Sequence, residues 1–158
     1  MVMTRTEMVT KLRTQLCDTQ AVGFPDDGEL LEYLDRGTIY YSEQMIAAKS
    51  PDMLRRMAVV GCTELPDDFV ALAGQHPVQI TGRHMDYYGE VPYQVMYFAR
   101  LPLPSGYKPD EPVDHPLGAD TVIIDLARAF ALNRNEYDLS QDLKLVEVWQ
   151  NAAKGARS

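Results

Sequence analysis

The feature that most constrains the fold is the uneven distribution of proline and glycine along the chain. Eight of the ten prolines and six of the ten glycines lie between Met57 and Gly118. Proline lacks an amide hydrogen and clashes with the preceding helical turn, so this segment excludes long helices. Four runs within it have the β-branched and aromatic residues typical of strands: Met57 to Cys62, Phe69 to Leu72, Val78 to Thr81 and Tyr93 to Leu101. The middle of the chain therefore predicts a small antiparallel sheet.

Two parts of this middle segment are predicted to lack regular structure. Prolines at 102, 104, 109, 112 and 116 prevent a regular strand ladder, so residues 102–116 are expected to form a stiff, extended excursion that makes contacts. The run GRHMDYYGE, from Gly82 to Glu90, lies between two predicted strands. It is expected to be a solvated loop whose tyrosines pack over the sheet edge.

The segments on either side have helical periodicity. Apolar residues spaced by three and four predict helices over about 4–17, 26–49, 120–134 and 139–153, with Asp120 capping the third. Gly37 is a weak point in the second helix, and Ser50-Pro51 either ends that helix or opens a further short turn. These patterns predict a single α+β domain over 1–158. In it, a helical bundle built from N-terminal and C-terminal helix pairs has the small antiparallel sheet, over about 57–118, inserted between them.

Composition and charge exclude several classes of function. The net charge is −8 and the basic residues are scattered, which argues against sequence-specific nucleic-acid binding. No apolar run approaches the roughly 20 residues that span a bilayer, so no membrane segment is predicted. The N-terminus has no features of a secretory signal. Cys17 and Cys62 are therefore expected to be reduced, partly buried thiols.

The candidate catalytic groups form no recognisable constellation. His76, His84 and His115 lie in different predicted turns, without the spacing of metal ligands. His84, Asp86 and Tyr87 form a polar and aromatic cluster that could act as an acid–base site, but a solvated loop is the favoured interpretation. No phosphate-binding loop or nucleophile elbow is present. The sequence thus predicts no catalytic residue, metal ligand or cofactor, and a protein that is not an enzyme.

Several aromatic and basic residues exceed what a small core needs and are candidates for contacts with partners. Aromatic side chains are enriched at the centres of interfaces. The candidate residues for contacts with partners or between subunits are Tyr87, Tyr88, Tyr107, Trp149, Lys154 and Arg157.

The order of these blocks resembles that of the head-to-tail adaptor, or connector, proteins of tailed bacteriophages. The resemblance covers nearly the whole chain, from the helix PDDGELLEYLDRGTIYYSEQMIAAK through GRHMDYY to the segment ADTVIIDLARAFALNRNEYDLSQDLKLVEVW. Two parts of the chain carry most of the resemblance. Leu65-Pro66-Asp67-Asp68-Phe69 is similar to the segment that leads into the family's sheet, and 120–136 is similar to a helix of the family that ends in polar residues.

The resemblance implies a structural virion protein in the neck, at the head–tail junction, with host cytoplasm as its location during assembly. It implies a homo-oligomeric ring, usually twelvefold, beneath the portal protein. That ring extends the DNA channel towards the tail or nozzle proteins, and DNA passes through it without sequence-specific binding. The family has no catalytic residues. The C-terminal AAKGARS, with Lys154 and Arg157, is a candidate for grasping the portal.

Three alternatives remain open from the sequence. One is another neck component, such as a head-completion or tail-terminator protein, which shares the ring but differs in position. A second is a small enzyme that uses the cluster of His84, Asp86 and Tyr87. A third is a host-directed regulatory binder that acts as a monomer or dimer. For a ring that closes on a preformed template, we expect the isolated chain to be monomeric.

Overall fold

The computed structural model describes residues 2–21 and 23–133. Its three α-helices are α1 (Arg5–Gln15), α2 (Asp27–Ala47) and α3 (Ala119–Leu132). Its six strands are β1 (Leu54–Val59), β2 (Gly61–Glu64), β3 (Phe69–Leu72), β4 (Gln79–Thr81), β5 (His84–Tyr87) and β6 (Tyr93–Ala99). The helix predicted over about 139–153 lies outside the described residues. Within the described part, no helix has the length and apolarity needed to cross a bilayer.

The strands form two three-stranded antiparallel sheets. The first has the order β1-β6-β3 and the second has the order β2-β5-β4. Only Val60 separates β1 from β2, and Gly61 turns the chain from one sheet into the other with a φ of 56°. Positive φ values are accessible to glycine at little cost because it has no Cβ. Across this bend, Val59 pairs with Tyr93 and Gly61 pairs with Tyr87.

The helical part is organised around α3, which packs against both α1 and α2. Gly37 of α2 lies where the backbones of α2 and α3 approach each other closely. A Cβ at this position would lie 2.9 Å from the carbonyl oxygen of Ile123. The glycine that the sequence marks as a weak point in the helix is therefore what allows the two helices to pack.

The prediction of N-terminal and C-terminal helix pairs with one inserted sheet is wrong. Both N-terminal helices pack on α3, so the described helices form a group of three rather than two pairs. The middle of the chain forms two sheets, whose inward faces share a small core of Val59, Met85 and Val95. Periodicity identified most of the elements, but it carries no information about which of them pair.

The proline-rich segment has no regular strand, as predicted, and it makes contacts with the helical part. Most residues of 102–116 are exposed, but Pro104, Val113 and His115 are buried. The Thr6 amide donates to the carbonyl oxygen of Pro109, and the Val113 amide donates to that of Met3, both at 2.9 Å. We call residues 101–116 the crossing segment. It ties α1 to the rest of the helical part.

Capping decides two details that the sequence left open or misassigned. The Ser50 hydroxyl accepts a hydrogen bond from the Asp52 amide at the start of a 3-10 turn, Pro51–Met53, so the alternative of a further short turn is confirmed. Helix α3 begins after Gly118, which has a φ of 84° and provides no side-chain cap. Asp120 is not the cap because it lies in the first turn of α3, where its carboxylate is bonded to His115.

Candidate interaction surface

The second sheet is the most exposed structured part of the described chain. All three residues of β4 are exposed, and Met85 of β5 is the one fully buried residue among the strands of this sheet. Apolar side chains are exposed here as well, including Ile80 of β4 at 42 %. A sheet with so little buried surface is expected to gain stability from packing against another chain.

Three exposed apolar residues lie where the two sheets meet. Val60 is in the bend between β1 and β2, while Tyr88 and Val91 are in the loop between β5 and β6. Their exposed fractions are 55 %, 86 % and 71 %, respectively. The pairing of Gly61 with Tyr87 brings the bend and the loop to the same end of the ladder. We call Val60, Tyr88 and Val91 the junction patch.

The four edge strands differ in how well they are protected against pairing with another chain. Charged residues, bulges and sharp bends discourage such pairing. Strand β1 has exposed Arg55 and Arg56, and β3 has a register shift between Phe69 and Ala71. Strand β2 starts at the Gly61 bend and ends at an exposed glutamate. Strand β4, with the sequence Gln-Ile-Thr, is short at three residues but has no charged residue and no register shift, and no described strand pairs with its outer edge.

The structure separates the tyrosines that the sequence grouped as contact candidates. Tyr88 is exposed and belongs to the junction patch. Tyr87 stacks on Tyr93, with ring centroids 5.4 Å apart, and lies against the core between the sheets. Tyr107 is half-buried against the helical core, and its carbonyl oxygen accepts a hydrogen bond from Arg5 at 2.6 Å. Trp149, Lys154 and Arg157 lie outside the described residues.

The proposed acid–base cluster does not converge on one point. Within the segment 82–90 predicted as a solvated loop, His84–Tyr87 form strand β5, so successive side chains there alternate between its two faces. Tyr87 faces the core between the sheets, whereas the Asp86 carboxylate accepts a hydrogen bond from the Cys62 thiol on the neighbouring strand. Within residues 2–21 and 23–133, no three His, Cys, Asp or Glu side chains are grouped to hold a metal ion.

The cysteines are free but not partly buried as predicted. Both Cys17 and Cys62 are exposed. Cys17 follows α1 in a turn with a φ of 56°, and Cys62 lies on β2 of the exposed second sheet. The hydrogen bond to Asp86 raises the pKa of the Cys62 thiol, and the negative charge of that carboxylate raises it further.

A cavity of about 350 Å³ lies between the helices and the sheets. Its walls come from α2, β1, the turn before β3 and the residues after β6. The lining residues are Ile39, Ser42, Arg55, Asp67, Asp68, Arg100, Leu101, Pro102 and Leu103. Two arginines and two aspartates share this space, and Asp68 also accepts a hydrogen bond from the Tyr97 hydroxyl at 3.3 Å. This mixture of charges selects neither an anion nor a cation.

A buried polar contact in the helical part was missed by sequence reasoning. The Nδ1 atom of His115 lies 2.8 Å from a carboxylate oxygen of Asp120, and the Nε2 atom lies 2.8 Å from the carbonyl oxygen of Pro102. Nearby, the Leu101 amide donates to the buried Ser42 hydroxyl at 3.0 Å. The only local signal was an aspartate five residues after a histidine at the start of a helix.

Comparison with known proteins identifies no relative. No protein-family model matches the chain, and no curated protein matches it at a significant level.

Proposed function

We propose that this chain is a structural virion protein, a head-to-tail adaptor in the neck of a tailed bacteriophage. Copies of it form a homo-oligomeric ring beneath the portal protein, extend the DNA channel and provide a docking surface for tail or nozzle proteins. The resemblance in the order of sequence blocks supports this assignment. The proposed role is assembly rather than catalysis.

The open edge of β4 is the observation that carries the proposal. A sheet edge with no charged residue and no bulge is a template for a strand of another chain, and proteins that act as monomers normally protect such an edge. A ring needs two different surfaces on each subunit, because each copy contacts its neighbours through unlike patches. The β4 edge and the junction patch provide one of these surfaces. The helical part provides a different one.

The charge of the chain is compatible with a wall around passing DNA. With 23 acidic and 15 basic residues, the protein has a formal net charge of −8. An acidic lining repels phosphates and avoids the counterion-releasing contacts that would hold DNA in place. DNA therefore slides through the ring without sequence-specific binding.

The experiment compares ring formation on purified portal particles by the unchanged chain, by Ile80→Lys and by Ala58→Lys. A lysine at Ile80 places a charge on the uncharged β4 edge and is expected to prevent ring closure. Ala58 is exposed on β1, an edge that already has Arg55 and Arg56, so its variant is the matched control. Circular dichroism checks that both variants fold, and cryo-electron microscopy counts the rings.

The outcomes separate the function from the surface assigned to it. A chain that stays monomeric and never joins virions would refute the adaptor function. If Ile80→Lys forms rings as well as the unchanged chain does, the role assigned to the β4 edge is contradicted but the adaptor function is not. A ring elsewhere in the neck of the virion would identify the chain as another neck component, such as a head-completion or tail-terminator protein.

A further inference from the structure

The ring of His115 has hydrogen-bond acceptors at both of its nitrogens. Nδ1 lies 2.8 Å from Oδ1 of Asp120, and Nε2 lies 2.8 Å from the carbonyl oxygen of Pro102. The His115 side chain is completely buried and that of Asp120 is 10 % exposed. A carbonyl oxygen and a carboxylate can only accept, whereas a neutral imidazole has a single N–H. A neutral ring therefore leaves one nitrogen lone pair facing an acceptor.

We propose that His115 is an imidazolium in the folded protein and forms, with Asp120, a proton-dependent latch that fastens the crossing segment to α3. Nδ1–H donates to the Asp120 carboxylate and Nε2–H donates to the Pro102 carbonyl. The two opposite charges compensate each other, which a buried ionised group requires. Loss of one proton converts one of these hydrogen bonds into a repulsive contact, so the latch opens as the pH rises.

The other charged and titratable groups around the latch do not replace His115 as the partner of Asp120. On α2, burial raises the pKa of Tyr41 to about 12, with smaller contributions from Asp52 and Asp120, so its phenol stays neutral. Asp114, next to His115, is exposed and lies 3.8 Å from Arg55 of β1. Among the described residues, no lysine or arginine forms an ion pair with Asp120.

His76 provides a comparison within the same chain. Its Nε2 atom lies 2.8 Å from the carbonyl oxygen of Ala73, and its Nδ1 atom lies 3.2 Å from the Tyr93 hydroxyl. A hydroxyl can donate as well as accept, so a neutral His76 ring satisfies both contacts. The two histidines have the same number of partners, but only the partners of His115 require the additional proton.

Opening of the latch is expected to affect the crossing segment rather than the whole fold. Pro102 lies next to Leu101, whose amide is bonded to Ser42 of α2. Further along, the Val113 amide donates to the Met3 carbonyl oxygen before α1. The latch is thus one of several attachments of this segment, and its loss is expected to weaken the two neighbouring attachments while the rest of the fold stays intact.

The first test is the protonation of the ring, measured by long-range proton–nitrogen NMR on the full chain labelled with ¹⁵N. At neutral pH, both ring nitrogens of His115 are expected at the chemical shifts of protonated nitrogens. The His76 ring is the internal reference in the same spectrum. One unprotonated nitrogen on His115 at neutral pH would overturn the proposal.

The second test uses Asp120→Asn, which keeps the size of the side chain and gives it an amide that can donate to Nδ1 of a neutral ring. Hydrogen exchange of the Leu101 and Val113 amides is measured at neutral and mildly alkaline pH, corrected for the intrinsic exchange rate. Protection in the unchanged chain is expected to fall about tenfold as the pH rises, the scale of one charged hydrogen bond. Protection in the variant is expected to stay constant. An equal pH dependence in both proteins would overturn the latch.

Discussion

The helical part and the sheets of this protein have cores of very different size. Among residues 2–21 and 23–133, nineteen buried residues form one continuous cluster around the three helices and the crossing segment. The core between the sheets has three, Val59, Met85 and Val95, and depends on half-buried neighbours such as Tyr87 and Phe69. Buried apolar area is the main source of stability in a folded chain. The helical part therefore has stability of its own, whereas the sheets have surface left to bury.

The polar groups of the helical part are also more deeply buried than those of the second sheet. The helical part buries His115, Asp120 and Ser42, and each of these has a hydrogen-bond partner. On the second sheet, polar side chains such as His84 and Glu64 are exposed to solvent. Buried and satisfied polar groups specify one packing arrangement, while exposed ones leave a surface adaptable. This difference is compatible with the proposed role, in which the helical part is rigid and the second sheet contacts another chain.

The largest expected effect comes from truncating one buried methionine in each core. Met45 of α2 and Met85 of β5 are 1 % and 0 % exposed, respectively. Met45→Ala and Met85→Ala are each expected to cost about 2–5 kcal/mol of unfolding free energy, because each leaves a cavity. Met85→Ala is expected to open the sheets while the helices persist, since the smaller core cannot compensate. Hydrogen exchange by residue measures this, and uniform loss of protection in both variants would contradict two unequal cores.

A smaller effect is expected from the phenol buried in the helical part. Burial, with smaller contributions from Asp52 and Asp120, raises the pKa of Tyr41 from 10.0 to about 12. The unfolded chain therefore loses this proton first, and unfolding free energy decreases as the pH rises from about 10 to about 12. The loss is on the order of 3 kcal/mol. Urea unfolding across this range should show a weaker pH dependence in Tyr41→Phe, and identical slopes would contradict the assignment.

The smallest effect concerns the exposed face of the second sheet. The hydrogen bond to Asp86 raises the pKa of Cys62, so less of the reactive thiolate is present at neutral pH. Asp86→Asn is expected to speed alkylation of Cys62 several-fold. Mass spectrometry measures the rate, with the exposed Cys17 as the reference in the same sample. An unchanged ratio of the two rates would show that the contact does not control the thiol.

Local patterns predicted most of the elements because they depend on neighbouring residues. Helices α1 and α2 lie within the predicted ranges, α3 begins one residue before its range, and β3 has the predicted bounds Phe69–Leu72. The prediction failed at His84–Tyr87, where flanking glycines and polar residues obscured the alternation that makes β5 a strand. Of the site residues, Tyr88 is exposed in the structure, while Tyr87 and Tyr107 pack within the chain. Exposure depends on what lies opposite a residue, which a local pattern does not contain.

The sequence by itself determined where long helices could not form, where most of the helices lie and that the chain is acidic. These properties follow from dihedral limits, local periodicity and charge counts. The tertiary structure alone decided that Gly37 brings two helices together, that two sheets form in place of one, and that His115 meets both Asp120 and Pro102. Each of these depends on contacts between residues far apart in the chain or on which groups are withdrawn from water.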